Sequence, residues 1–140
     1  MSEGPKEGDV WDYPYLWARQ DQAGETEGRK NRPAAIPILV ERRDGRHWMA
    51  LLAITTQPPG TIRHALPVPE IERRRSGLSG DGPSWIILDE HNVDIVEQSY
   101  YLDSEARLGA FSPRFRKMVQ KAFAKALRDR KSNTVRRMDE

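Results

Sequence analysis

Along the chain, apolar positions fall first into short runs separated by turn residues and last into one long amphipathic segment. Residues 34–41 and 47–54 form two such runs around Arg43-Asp44-Gly45-Arg46. Asp-Gly between two apolar runs is a hairpin signal, because a tight two-residue turn needs φ > 0 at both central positions. Pro37 carries no ladder N–H, so the first of these strands is expected to lie at an edge or to bulge there. Residues 84–88 read as a strand after the turn Gly80-Asp81-Gly82-Pro83, and residues 93–96 read as another. Residues 64–68 read as a short strand that leads into a helical turn over 69–75, stopped by Gly77.

The two ends of the chain carry different patterns. Near the start, Trp11, Tyr13, Tyr15 and Trp17 alternate strictly, which on one strand makes a single-face aromatic stripe. Such a stripe can stack nucleobases, each worth about 1–3 kcal/mol by truncation. The preferred reading keeps Trp11 and Tyr13 in the core and lets Tyr15 and Trp17 reach the next loop. Residues 18–31 hold only Ala18 and Ala23 as apolar positions, a length of polar chain that marks a functional or mobile loop. Near the end, Ser112 is a good N-cap and Pro113 suits the first helical position. Phe115, Met118, Val119, Ala122, Phe123, Ala126 and Leu127 then recur at helical spacing, predicting a helix that fades by Asn133 and packs its apolar face on a sheet. With no βαβ alternation, the expected class is mainly β (α+β), a small antiparallel sheet or barrel closed by a C-terminal amphipathic helix.

Composition narrows the chemistry. The 140 residues suit one domain, and 37% hydrophobic content with a net charge of +2 is ordinary for a globular chain. No run approaches the ~18 apolar residues of a membrane span, and the acidic, glycine-containing start is not a signal peptide, so a cytoplasmic protein is expected. The absence of cysteine removes disulfides, thiol nucleophiles and thiolate metal sites. Charge is unevenly placed: residues 111–137 hold ten Lys/Arg against Asp129 alone, whereas residues 1–27 hold seven acids against Lys6 and Arg19. That asymmetry points either to a polyanionic or acidic partner or to a solvated helix face.

The phosphate-cradling, dinucleotide, zincin and hydrolase signatures are all missing. His47, His64 and His91 are scattered without metal-ligand spacing, so no metal and no cofactor is expected. Asp89 and Glu90 are adjacent and would face opposite sides of a strand, which prevents them from acting as a pair.

Several short segments, in order, carry a resemblance. They are Gly8-Asp9-Val10-Trp11, then Gly28-Arg29-Lys30-Asn31-Arg32-Pro33-Ala34 leading into an apolar strand, then Ala53-Ile54-Thr55-Thr56-Gln57 closing the next. Leu78, Trp85-Ile86-Ile87-Leu88 and Leu108-Gly109 before the final helix follow in place. The set resembles the MazF/PemK family of toxin endoribonucleases over about residues 8–127. The resemblance implies an SH3-like barrel related to the gyrase toxin CcdB, a homodimer, and metal-independent cleavage of single-stranded RNA by 2′-hydroxyl attack. A separately encoded antitoxin protein is implied as partner.

By motif, Arg32 and Thr55 take the catalytic positions, and Arg29, Lys30, Tyr15, Trp17, Thr56 and Gln57 the RNA-binding ones. A fixed guanidinium offers planar donors to charge building on a phosphorane oxygen, and a threonine hydroxyl can donate to it or orient the 2′-hydroxyl. Three residues stand between Gly28 and Arg32 where the family commonly has one between Gly and Arg, so Arg29 is the alternative functional arginine. A non-nuclease module of the same fold, such as a gyrase inhibitor or an RNA-binding barrel, is the competing class. Its gyrase form fits poorly with the polar tail of residues 131–140. The expected organisation is a flexible N-terminus over 1–8, one domain over 9–131 and a flexible polar tail over 132–140.

Overall fold

Period-2 alternation divides neighbouring residues between two cores, and this division organises the molecule. Val10, Ala35, Leu52, Ile54 and Ile86 belong to one apolar cluster, while their neighbours Trp11, Ala34, Leu51, Ala53 and Ile87 belong to the other. A strand buried on both faces must be apolar throughout, which explains the unbroken run at 49–54.

The computed structural model describes residues 4–26, 30–61, 63–78, 82–99 and 101–138. In chain order its elements are β1 (Asp9–Tyr13), α1 (Ala18–Gln22), β2 (Arg32–Ala35), β3 (Leu39–Glu41), β4 (His47–Thr55), β5 (Ala65–Pro67), α2 (Glu70–Arg75), β6 (Trp85–Ile87) and β7 (Glu90–Ile95). Then follow β8 (Arg107–Ala110), α3 (Pro113–Arg128) and β9 (Asn133–Arg136). The strands pair in the order β5-β6-β4-β2-β1-β8, with β3 and β7 also on β4 and β9 on β7. All these pairs are antiparallel except β7–β9, which is parallel.

The fold is therefore mainly antiparallel β with one long C-terminal helix. Among the described residues no strand pairing joins β5 to β8, so the sheet stays open. The backbone of residues 75 and 76, at the end of α2, packs against β8 instead. A Cβ on Gly109 would lie 2.7 Å from the Arg75 carbonyl oxygen, so only glycine lets the two backbones meet.

Several local expectations change for physical reasons. Pro37 does more than kink the first apolar run: it splits it into β2 and β3. The β3–β4 hairpin forms, but Glu41 pairs with His47, leaving a five-residue loop in which Gly45 alone takes positive φ (84°). Of the turn expected over 80–83, Gly80 and Asp81 lie outside the described residues. Pro14 ends the aromatic strand after Tyr13, and part of the expected polar loop coils into α1. Helix α3 starts as read, with Ser112 Oγ accepting the Phe115 amide, but Met118 is 50% and Leu127 40% exposed, so the buried face is narrower.

The described parts of both ends make backbone and side-chain contacts. Gly8, at φ 93°, donates to the Ile36 carbonyl and accepts from Phe111, while buried Asp9 accepts the Lys6 amide, the Trp11 indole and Arg107. The tail forms β9, whose single apolar residue, Val135, is buried.

His91 lies beneath α3, edge-on to Phe123 with ring centroids 5.0 Å apart, its nitrogens paired with Ser132 and Thr134 hydroxyls at 2.8 and 3.0 Å. Burial lowers its pKa to about 4. The unfolded chain protonates this residue near ~6.5, so its contribution is complete above that pH and is lost as pH falls towards 4. Asp94, whose pKa burial raises, works in the opposite sense, so the comparison must be with a variant. Chemical denaturation between pH 7 and 4 is expected to show a steeper loss for the wild type than for His91→Gln; equal slopes would exclude the assignment. Gly109→Ala is expected to cost about 1–3 kcal/mol by forcing β8 from α2, read as a lower denaturation midpoint.

Candidate functional site

The β2–β4 ladder pairs Ala34 with Ala53 and Ala35 with Leu52. Carried two residues further, the same register sets Arg32 across from Thr55 on the face shared by Ala34 and Ala53. Pro33 contributes no N–H, so the ladder stops there and the strand ends form a notch. On its other side Thr55 pairs with Trp85 of β6, and its Oγ1 accepts the Gln57 amide at 3.0 Å, leaving the hydroxyl proton free to donate.

A second segment supplies the wall. Past Pro14 the chain turns on polar side chains of β7: Asn92 accepts the Leu16 amide at 2.9 Å and donates to the Leu16 carbonyl at 2.7 Å. Glu90 Oε1 accepts the Ala18 amide at 2.8 Å and the Tyr15 hydroxyl at 3.3 Å. Trp17 is thereby fixed facing the notch, 7% exposed, with the guanidinium carbons of Arg32, Arg19 and Arg63 at 5.0, 5.3 and 5.8 Å from its ring.

The three arginines differ. Arg63 is neutralised, reaching Asp89 at 2.6 Å and Glu90 at 2.8 Å, and these bonds, that to Asp89 foremost, hold its pKa above the ordinary arginine value. Arg32 has no such partner among the described residues, and its buried Nε–H finds no acceptor. Burial, and after it the charge of Arg19, lower the Arg32 pKa below the ordinary value. A half-buried guanidinium without a carboxylate partner among the described residues, at the end of a broken ladder, has the chemistry to bind an anion.

Three cavities meet at Arg32, of about 310, 380 and 250 Å³. The first runs past Tyr15, Trp17 and Arg19; the second past Thr55, Gln57, Arg73 and Ser84; the third between Trp17, Thr55 and Arg63. None of their described lining residues is histidine, aspartate or glutamate.

Of the residues singled out by sequence, Arg32, Thr55, Lys30, Thr56 and Gln57 line the second cavity together, and Lys30 also lines the first. Arg29 lies outside the described residues. Tyr15 and Trp17 do not form an exposed stacking platform: all four aromatics of the stripe are buried in one core, with the Tyr13 hydroxyl on Asp94 and the Tyr15 hydroxyl on Glu90. They floor and wall the groove instead. Asp89 and Glu90 are both occupied by Arg63, and the histidines lie away from the groove. Sequence reading missed Arg19, Arg73 and Ser84. Arg19 sat in a stretch read as loop, and nothing in the local pattern separates Arg73 or Ser84 from surface residues.

Among the described residues, no cluster of three or more His, Cys, Asp or Glu is arranged to hold a metal ion, and no helix is long and apolar enough to cross a membrane. The arginines make opposite stability predictions. Arg63→Met strands Glu90 and is expected to cost at least about 2 kcal/mol, whereas Arg32→Met is expected to stay within about 0.5 kcal/mol of wild type or to stabilise. Equal losses in denaturant titrations would make Arg32 a structural residue.

No protein-family model matches this chain, and none of the curated proteins matches it.

Proposed function

We propose that the protein is a metal-independent endoribonuclease acting on single-stranded RNA, of the MazF/PemK toxin type, with Arg32 and Thr55 as its catalytic pair. The observation that carries the reading is the convergence of these two residues at one frayed strand end, the guanidinium lacking a carboxylate partner among the described residues. In the proposed reaction the ribose 2′-oxygen attacks the adjacent phosphorus and the bond to the 5′-oxygen breaks. The products are a 2′,3′-cyclic phosphate and a 5′-hydroxyl, with the proton lost from the nucleophile delivered to the leaving oxygen. Arg32 and Thr55 donate to the non-bridging oxygen on which charge accumulates. The groove's described lining offers no imidazole or carboxylate to move the proton, and an arginine does so poorly even when burial lowers its pKa, so turnover is slow.

The open sheet with its terminal helix fits a half-closed, barrel-like scaffold of that family, and the cationic groove fits an acidic antitoxin segment as well as RNA. The lack of a general base among the groove's described lining residues favours one alternative, a non-catalytic binding module on the same groove.

Incubation with long single-stranded RNA in EDTA separates the two. Discrete fragments with 5′-hydroxyl ends are expected from the wild type. Arg32→Ala is expected to lower the rate at least about 100-fold, with Thr55→Ala also slow and Thr55→Ser partly active. Intact RNA, retained on the wild type but released by Arg32→Ala, would establish the binding module instead.

A further inference from the structure

Arg137 is not among the described lining of the three cavities at Arg32, yet it is bonded to the turn that carries Trp17 towards them. At Pro14 the chain leaves β1, and the Tyr15 amide donates back to the Tyr13 carbonyl at 2.8 Å, so the Pro14 carbonyl stands outside the β1 ladders. Arg137 Nη1 donates to that carbonyl at 2.6 Å and reaches, at 3.4 Å, the same Asn92 Oδ1 that accepts the Leu16 amide. Its guanidinium carbon lies 5.4 and 5.5 Å from the ring centroids of Tyr13 and Tyr101. The strand end that delivers it is secured by buried Val135 and by the Arg137 amide, bonded to the Val93 carbonyl at 2.9 Å. Stability alone does not call for an arginine here. Its Nε–H is buried with no acceptor, and no carboxylate among the described residues pairs with it, Asp94 being held by the Tyr13 hydroxyl. An unbranched apolar side chain would fill the slot between the rings without that cost. What the arginine supplies is a donor fixed at the Pro14 carbonyl.

We propose that Arg137 is a positioning residue of the groove: by holding the Pro14 peptide it sets the direction in which the chain approaches Trp17, and so the place of that ring beside Arg32. The inference rests on the reading that Arg32 holds an RNA phosphate, and it adds a residue from the far end of the chain to that site. Without the Arg137 donor the turn keeps its bonds to Asn92 and Glu90, so the molecule stays folded while the Trp17 ring gains freedom. Arg32 lies 5.0 Å from that ring and moves with it. A small misplacement at a reacting centre costs rate far more than it costs stability. Arg137 touches no reacting atom and acts through Trp17.

Two measurements on the full chain test it, each with wild type, Arg137→Met, Arg137→Lys and Val135→Ala, the last a control that weakens β9 and leaves the donor in place. In the first, without RNA, the Trp17 indole N–H and Arg32 Nε–H resonances are compared. Arg137→Met is expected to move both and Val135→Ala to move neither. Arg137→Lys is expected to move them less, because its ammonium can still donate to the Pro14 carbonyl. In the second, cleavage of a long single-stranded RNA is followed in EDTA. Arg137→Met is expected to lower kcat about tenfold with KM within about twofold of wild type, and Arg137→Lys to recover part of the loss. If Arg137→Met does not fold, Arg137→Gln, polar but too short to reach the carbonyl, carries the same expectations. Unmoved resonances in the donor-less variant, or the same movement and the same loss of kcat in Val135→Ala, overturn the assignment. The failures are separable: moved resonances in a protein that cuts no RNA leave the positioning role standing and defeat the nuclease reading, whereas cleavage that is indifferent to Arg137→Met, with unmoved resonances, defeats the positioning role alone.

Discussion

The polar face of β7 is the joint on which the groove depends. Glu90, Asn92 and Asp94 alternate along that strand, so all three project to the same side, and all three are buried. Each binds a different part of the aromatic segment: Asp94 the Tyr13 hydroxyl at 2.7 Å, Asn92 both backbone groups of Leu16, and Glu90 the Ala18 amide. A segment that has left its strand at Pro14 has backbone groups to satisfy, and these side chains satisfy them. The result is a non-repetitive stretch whose backbone groups are hydrogen-bonded, and it delivers Trp17 to the strand end where Arg32 emerges.

From that placement the electrostatics follow. Trp17 presents a ring face that several cations can share, yet among the described residues only Arg63 is supplied with carboxylates. Arg32 is left half-buried and undercompensated, with Arg19 beside it raising the cost. A folded chain retains such a conflict where function needs it, at a site that a ligand relieves.

How much of this was legible in the sequence depended on which physical rule governed each segment. Ser112-Pro113 and the apolar spacing after it announced α3 because capping and helical period are local properties. The β3–β4 hairpin was legible from Asp44-Gly45 for the same reason. Arg32 and Thr55 were reached through their flanking motif residues, and their meeting depends on a register that no local pattern encodes. The polar residues of β7 were not singled out, because no local pattern separates alternating Glu, Asn and Asp bound for the core from solvent-facing ones. Their burial is intelligible only once the partner groups, 72 to 81 residues away in the chain, are known. Strand β9 escaped notice because a single apolar residue, Val135, secures it. Tyr15 and Trp17 were half understood: they do belong to the groove, but as its structural lining.

The central claim is that the half-buried Arg32 guanidinium, without a carboxylate partner among the described residues, holds a phosphate at the Thr55 end of β4. It is tested most directly by following arginine Nε–H and backbone amide resonances while adding uniformly 2′-O-methylated single-stranded RNA, which keeps the phosphates but lacks the nucleophile. The account predicts that the Arg32 Nε–H signal and the Thr55 and Gln57 amides shift together and saturate at one RNA concentration. Shifts confined to the basic outer face of α3, with Arg32 and Thr55 unmoved, would contradict it.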